Sequence, residues 1–396
     1  MAFSQSCLEA VQLAVDRDRL VKTAIALVEV PSPTLDAGAV SDRLADILHT
    51  DGFEVARPEA NWPKAPAVAV WLDTGRSGRR LQFDGHLDTV HLPFVPPRVE
   101  DGVLYGSGAS DMKGGVAALV EALRVLRETD VLEGGRVLLT AHDHHEGPWG
   151  DKRQVKGLIE AGFVGDAVMM PEYLADRLPL AGRGMAIFDV KIERDGEAVH
   201  EVLRPEGLPD VLGAGADLVR AFRDLNDRLA NVTDPHSGSD SVFVGQIEAG
   251  EIYNQAPITC CLRGTRRWVT PGDGEKAISE FQSILDAVAQ ESGTRVTVDF
   301  LVQAEAFRIA ENDPIVQAFQ GAYERVAGKV LSFGGKPFVD DGNRYAAEAG
   351  IPALTHGPDA KGAHTTEEWV AVDELVRVAT VYALTAVGYC GIAEGR

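Results

Sequence analysis

The sequence predicts an α/β protein: a mostly parallel sheet covered by helices, interrupted by an inserted α+β domain. Short apolar runs (Ala67–Leu72, Arg80–Phe83, Arg136–Thr140 and Asp166–Met170) alternate with amphipathic stretches at helical spacing, the pattern of strands covered on both faces. Near Gly182 that rhythm gives way to long alternating strands in succession, and from about Asp313 it resumes. The expected division is therefore 1–182 with 300–396 as one domain and 183–299 as the insert, a size that suits 396 residues.

Taken in order, residues 8–29 carry apolar positions at helical spacing and should form a helix that stops before Pro31 and Pro33. A second helix is expected at about 37–51, ending at Gly52. Phe53–Arg57, Ala67–Leu72 and Arg80–Phe83 follow as strands separated by turns. GGVAALVEALRVLRE after Asp111 is a strongly amphipathic helix; Arg136–Thr140 and Asp166–Met170 are buried strands. In the insert, GMAIFDVKIERDG is a half-exposed strand. It is followed by a helix at about 206–230, two strands, a helix at about 273–292 and the strand TRVTVDFLV. The chain closes with a short strand (Ala353–Thr355), a histidine-containing loop and a helix from about Val372 to Val387.

The composition narrows the class. With 38 basic against 60 acidic residues, a net charge of −22 argues against nucleic-acid or anionic-membrane partners. No run of about 18 apolar residues is present, and MAFSQSCLEAVQLAVDRDRL is acidic and amphipathic rather than a signal peptide. Cys7, Cys260, Cys261 and Cys390 show no metal-like spacing and are too few for a disulfide framework, so reduced thiols in a cytoplasm are expected.

The chemistry gathers at strand ends, where open α/β sheets place their sites. After LQF, His86 and Asp88 stand two residues apart and can leave the strand end on one face. Asp111 opens a glycine-bounded loop twenty-three residues after Asp88. An imidazole, a supporting carboxylate and a second carboxylate suggest metal ligation; the alternative is a loop histidine beside an aspartate that caps the next helix. Further candidates follow other strands: His142, His144, His145 and Glu146 in AHDHHEGPWGD, Glu172 after DAVMM, and His356 and His364 in HGPDAKGAHTTEEW. His200 lies in the insert.

GHLDTV, GSGASDMKGG, HEGP and GPDAKGAH together resemble a metallopeptidase family. It includes carboxypeptidase G, aminoacylase, acetylornithine deacetylase and succinyl-diaminopimelate desuccinylase, and the likeness runs from about residue 8 to 390. The resemblance implies a catalytic domain binding two divalent ions, usually zinc but with manganese or cobalt equally suited to such ligands. It also implies a lid domain that commonly makes a homodimer. By motif, His86 matches a ligand of one metal and Asp88 the carboxylate that orients it. Asp111 matches the bridging carboxylate, which is often followed by a cis peptide, and Glu172 matches a second ligand of the His86 metal. His364 matches a ligand of the other metal, His200 the lid histidine that in dimeric relatives reaches a neighbouring subunit's site and stabilises the oxyanion, and Asn254 the lid's Asn-x-x-Pro, which helps hold substrate. Arg344 matches an arginine for the substrate carboxylate, although a surface arginine at a helix start is the alternative.

One segment departs from the pattern. Where the family carries two adjacent glutamates, this chain reads HHEG. The alignment that keeps Glu-Gly-Pro makes Glu146 a ligand and puts His145 in the place of the general base; a one-residue shift would pair His144 with His145. The expected activity is hydrolysis of an amide or other C–N bond in a small carboxylated molecule, with N-acyl amino acids or peptides as the first class. The altered base also allows an aminohydrolase releasing ammonia from an aromatic amine such as 5-nitroanthranilate, or a non-catalytic binding relative.

Overall fold

The apolar runs assemble into one six-stranded sheet. The computed structural model describes residues 3–391. Its main sheet has the order Val55–Ala56, Val68–Asp73, Arg136–His142, Arg80–His86, Ala167–Met170, Ala353–Thr355. The last four strands run parallel; Val68–Asp73 joins them antiparallel, and Val55–Ala56 pairs antiparallel with Val68–Asp73. The central strands are buried almost throughout, which requires helices on both faces. Helix Lys113–Thr129 is buried from Lys113 to Leu126 and packs against Arg17–Val28 and Val372–Cys390. Among the described residues no helix is long and apolar enough to cross a membrane.

The single helix expected over 8–29 is two, Gln5–Ala14 and Arg17–Val28. Asp16 separates them: its carboxylate accepts the N–H of Arg19 as an N-cap, while its own N–H donates to Glu121. Apolar spacing persists across this break, so periodicity alone could not reveal it.

The chain forms two compact units. One comprises residues up to Leu180, Ile309–Gly334 and the chain from Asp340 on; the other comprises Ala181–Arg308 with Gly335–Val339. The expected return at residue 300 falls inside strand Arg295–Ala304, which pairs along its length with Gly184–Glu193 and so carries the second unit further. That unit is an antiparallel sheet, ordered Ser241–Ala249, Thr259–Trp268, Gly184–Glu193, Arg295–Ala304. Helices Val211–Leu229 and Gly274–Ser292 pack on it, with Phe188, Phe222 and Phe281 in mutual ring contact in the core. The first helix begins at Val211 rather than 206, because Asp210 caps it through the Gly213 N–H.

In the first unit the parallel strands end together. His86 is the last residue of its strand and lies in register with His142, while the Leu87 N–H donates to the His142 carbonyl at 2.7 Å. Two glycines then allow close approaches here, Gly114 of the helix start to the Asp111 loop and Gly115 of the helix to Pro171, which precedes Glu172. A β-carbon on Gly115 would lie 2.6 Å from the Pro171 carbonyl oxygen, and one on Gly114 would lie 2.3 Å from that of Ala109. Gly115→Ala should therefore force the helix away from Pro171, costing about 1–3 kcal/mol in chemical denaturation. It should also weaken metal binding, because Asp111 and Glu172 sit on the two sides of that contact. Unchanged stability and metal affinity would show that this close approach does not set the site.

Candidate metal centre

Asp111 stands at the middle of the cluster and faces two ways. Its Oδ1 lies 3.1 Å from His86 Nε2, and the same nitrogen lies 4.0 Å from Glu172 Oε1. Its Oδ2 lies 3.2 Å from His364 Nε2, which is also 3.2 Å from Glu146 Oε2. The five residues thus fall into two half-sets that share Asp111: His86 with Glu172, and His364 with Glu146. All but His364 are buried. The peptide bond between Asp111 and Met112 is cis.

Each donor is held from behind. His86 Nδ1 donates to the main-chain carbonyl of Asp88 at 2.9 Å, which leaves Nε2 facing Asp111. The expected carboxylate–imidazole pair is looser, 3.7 Å from His86 Nδ1 to Asp88 Oδ1. Instead the Asp88 carboxylate accepts the backbone N–H groups of His145 at 3.2 Å and Glu146 at 2.9 Å, fixing the loop that carries them. Sequence reasoning missed Glu368, although it lies in the quoted HTTEEW segment. Its Oε2 accepts from the backbone of Gly108, Ser110 and Asp111 and from the Ser110 hydroxyl, at 3.0–3.3 Å. Burial and the neighbouring Asp111 push Glu368 up to about 7.

The residues fit divalent cations. Asp88, Asp111, Glu146 and Glu172 bring four carboxyl groups into one buried region; backbone N–H groups offset part of the cost at Asp88, and cations or protons suit the other three. Burial, reinforced by Asp111, raises Glu172 well above the usual carboxylate range. Burial opposes ionisation of Asp111 as well, yet hydrogen bonds with His364 and His86 hold it well below that range. Glu146 Oε1 is buried and makes no hydrogen bond. Ligand atoms of His86, Asp111 and Glu146 lie within 4.8 Å of one another, as do those of His86, His145 and Glu172. Imidazole and carboxylate donors at such spacing suit zinc, manganese or cobalt.

The HHEG segment is resolved by its surroundings. His144 turns away from the centre and packs edge-on against Trp62, with ring centroids 4.5 Å apart. His145 turns inward, its ring stacked on that of His86 at 3.9 Å and its Nε2 3.7 Å from Glu172 Oε1. With Glu146 beside His364, the geometry follows the alignment that keeps Glu-Gly-Pro. His145 Nδ1 meets Asp341 Oδ2 at 2.6 Å, a partner that sequence reasoning also missed. It lies three residues before Arg344, in DDGNR.

The remaining candidates lie elsewhere. Arg344 donates to Glu348 on its own helical segment and to the Asp151 carbonyl. His200 and Asn254 meet in the second unit, Asn254 Nδ2 lying 3.1 Å from His200 Nε2 across paired short strands.

A family model described as peptidase family M20/M25/M40 matches residues 83–387, which span every proposed ligand. The chain belongs to that family. The chain is 30% identical over 385 residues to succinyl-diaminopimelate desuccinylase of Alkalilimnicola ehrlichii, covering 91% of this chain and 96% of that protein. To carboxypeptidase G2 of Pseudomonas sp. it is 27% identical over 352 residues, 86% of this chain and 76% of the other. In fold it is similar to aminopeptidase PepT of Bacillus cereus, with a TM-score of 0.81 at 21% identity, covering 95% of this chain and 99% of that one. As an M20/M25/M40 member it is a metal-dependent hydrolase acting on amide-type C–N bonds.

The donor set makes metal uptake proton-linked. Hydrogen bonds with Asp111 and Glu146 raise His364 to about 10, so without metal its imidazole is charged at neutral pH; the raised Glu172 also tends to hold a proton. Cations need neutral imidazole and ionised carboxylate, so binding should release protons. Affinity should rise by about tenfold per pH unit for each proton released, until the pH passes the metal-free value of the group concerned. Calorimetric zinc titrations in buffers of differing ionisation enthalpy read this directly, and binding heats independent of the buffer would contradict it.

Proposed function

We propose that this chain uses two divalent ions to hydrolyse the C–N bond of a small carboxylated substrate, with N-acyl amino acids and short peptides as the first class. The observation that carries this reading is the pair of half-sets sharing Asp111, with one nitrogen of His145 directed beside them. His86, Asp111 and Glu172 would hold one ion, and Asp111, Glu146 and His364 the other. Bound there, the ions supply Lewis acidity that polarises the scissile carbonyl and acidifies a water.

The chain's own residues handle the proton. His145 Nε2 takes it from the attacking water and returns it to the leaving nitrogen, the work that an acidic side chain does in the family pattern. With its side chain only 9% exposed and its ring stacked on His86, the imidazole is held to one orientation. Across the homodimer inferred below, His200 would stabilise the developing oxyanion at the partner subunit's centre, giving up the contact in which its Nε2 accepts from Asn254 Nδ2. Arg344 receives the substrate carboxylate, which must displace Glu348 to reach it.

A hydrolysis screen after loading with zinc, manganese or cobalt tests the reading. N-acyl amino acids or dipeptides should turn over, and His145→Ala should lower kcat by about 10²–10⁴-fold while two ions remain bound. Ammonia release from an aromatic amine without amide hydrolysis would point to the aminohydrolase alternative. Two bound ions with no turnover would leave a binding protein.

We further infer a homodimer through the second unit. Strand Ser241–Ala249 is an edge strand, with Phe243 65% and Ile247 46% exposed beside a groove of about 440 Å³ against helix Val211–Leu229. Such an edge is a template for a second copy. Phe243→Lys with Ile247→Glu should convert a dimer to a folded monomer in light scattering, and an unchanged mass would exclude this edge.

A further inference from the structure

His145 is gripped at every point but one. Its backbone N–H donates to Asp88 Oδ1 at 3.2 Å, and its carbonyl accepts from Lys152 Nζ at 2.7 Å. Its ring face stacks on His86 with 12° between planes, and its Nδ1 meets Asp341 Oδ2 at 2.6 Å. The remaining atom, Nε2, points toward Glu172.

Behind it lies a second buried group that the metal centre does not use. Asp341 Oδ2 is also 3.6 Å from His142 Nε2, which is 3.3 Å from Asp84 Oδ2. His142 Nδ1 contacts the Asp143 carbonyl at 3.1 Å, an acceptor, so that nitrogen carries hydrogen and Nε2 alone faces both carboxylates. Asp84 is fixed in turn by the Tyr345 hydroxyl at 3.0 Å and by Thr140. Lys152 Nζ stands 3.4 Å from Asp341 Oδ1. Asp84, His142 and Asp341 are buried, so the fold pays a desolvation cost to hold this carboxylate at His145.

We propose that Asp341 is the positioning residue of the reaction, fixing His145 in the tautomer with hydrogen on Nδ1 and a free lone pair on Nε2. This rests on His145 being the proton carrier. An ionised carboxylate can only accept, so Nδ1 must donate to it. During hydrolysis one proton passes from water to Nε2 as the water oxygen bonds to the carbonyl carbon. The same proton then moves to the leaving nitrogen as the C–N bond breaks, while the Nδ1 hydrogen stays on Nδ1, donated to Asp341 Oδ2 throughout. Asp84 and His142 keep Asp341 oriented. An imidazole placed beside cations without such a partner could present either nitrogen, and the N–H form cannot take a proton.

The test uses the zinc-loaded full chain. Nitrogen-15 histidine spectra of the unaltered protein should show His145 with hydrogen on Nδ1 and none on Nε2, a result that needs no variant to fold. Asp341→Asn should invert that tautomer and lower kcat by about 10²–10⁴-fold, with KM within about threefold and two zinc ions still bound. Asp341→Glu should recover part of the rate. Unchanged kcat and tautomer in Asp341→Asn, with His145→Ala inactive, would overturn the positioning role alone. Full activity in His145→Ala would overturn the carrier reading and this one with it. Direct scalar coupling from cadmium-113 to His145 Nε2 would make His145 a ligand and overturn the proposal.

Discussion

Everything at the strand ends follows from the cost of burying several carboxylates in one place. Asp88, Asp111, Glu146 and Glu172 are all buried; the last three face His86 Nε2 or His364 Nε2, and Asp88 braces the loop beside them. Water cannot stabilise them there, and four like charges repel strongly at low local dielectric. The neighbourhood must therefore be filled by cations or protons. Asp111 makes this a single problem, since its two oxygens face different half-sets and cannot be satisfied on one side only.

The backbone is arranged around that constraint. Asp88 does not spend its carboxylate on His86 but on two consecutive N–H groups of the loop bearing His145 and Glu146. Glu368 does the same for the loop bearing Asp111. In both cases an acid outside the donor set collects backbone dipoles and fixes the donors relative to one another. Gly115 removes the β-carbon that would push the Asp111 helix off Pro171, and Gly114 the one that would meet the Ala109 carbonyl of the Asp111 loop. The central parallel strands bring these pieces to one edge, so sheet register and ligand geometry are one property.

What was legible in the sequence is what depends on local pattern. Buried strands announce themselves as apolar runs, and His86, Glu146 and Glu172 stand at or shortly after them; naming these with Asp111 and His364 as a ligand set rested on the motif resemblance to a known family. What was not legible depends on contacts distant in sequence. Glu368 touches the Asp111 loop from 257 residues away, and Asp341 touches His145 from 196 residues away. An acidic residue in a polar loop carries no mark of whether it will be buried. The break at Asp16 and the end of the insert at Arg308 were hidden for related reasons: one is a capping bond within continuous periodicity, the other a strand-pairing partner.

The exchange of an acidic side chain for His145 carries its own structural requirement. A carboxylate presents equivalent oxygens, and rotating it leaves a proton acceptor in place. An imidazole does not: one nitrogen carries hydrogen, and the wrong choice abolishes the function. A histidine at this position is therefore useful only if something selects its tautomer. Asp341 reaches Nδ1 from behind, while the His142 imidazole stands between it and Asp84. Such a group is expensive as a stability device, because apolar side chains of similar volume would pack the same space at less cost. Its expense is intelligible if the buried charge directs a single nitrogen toward the metal centre.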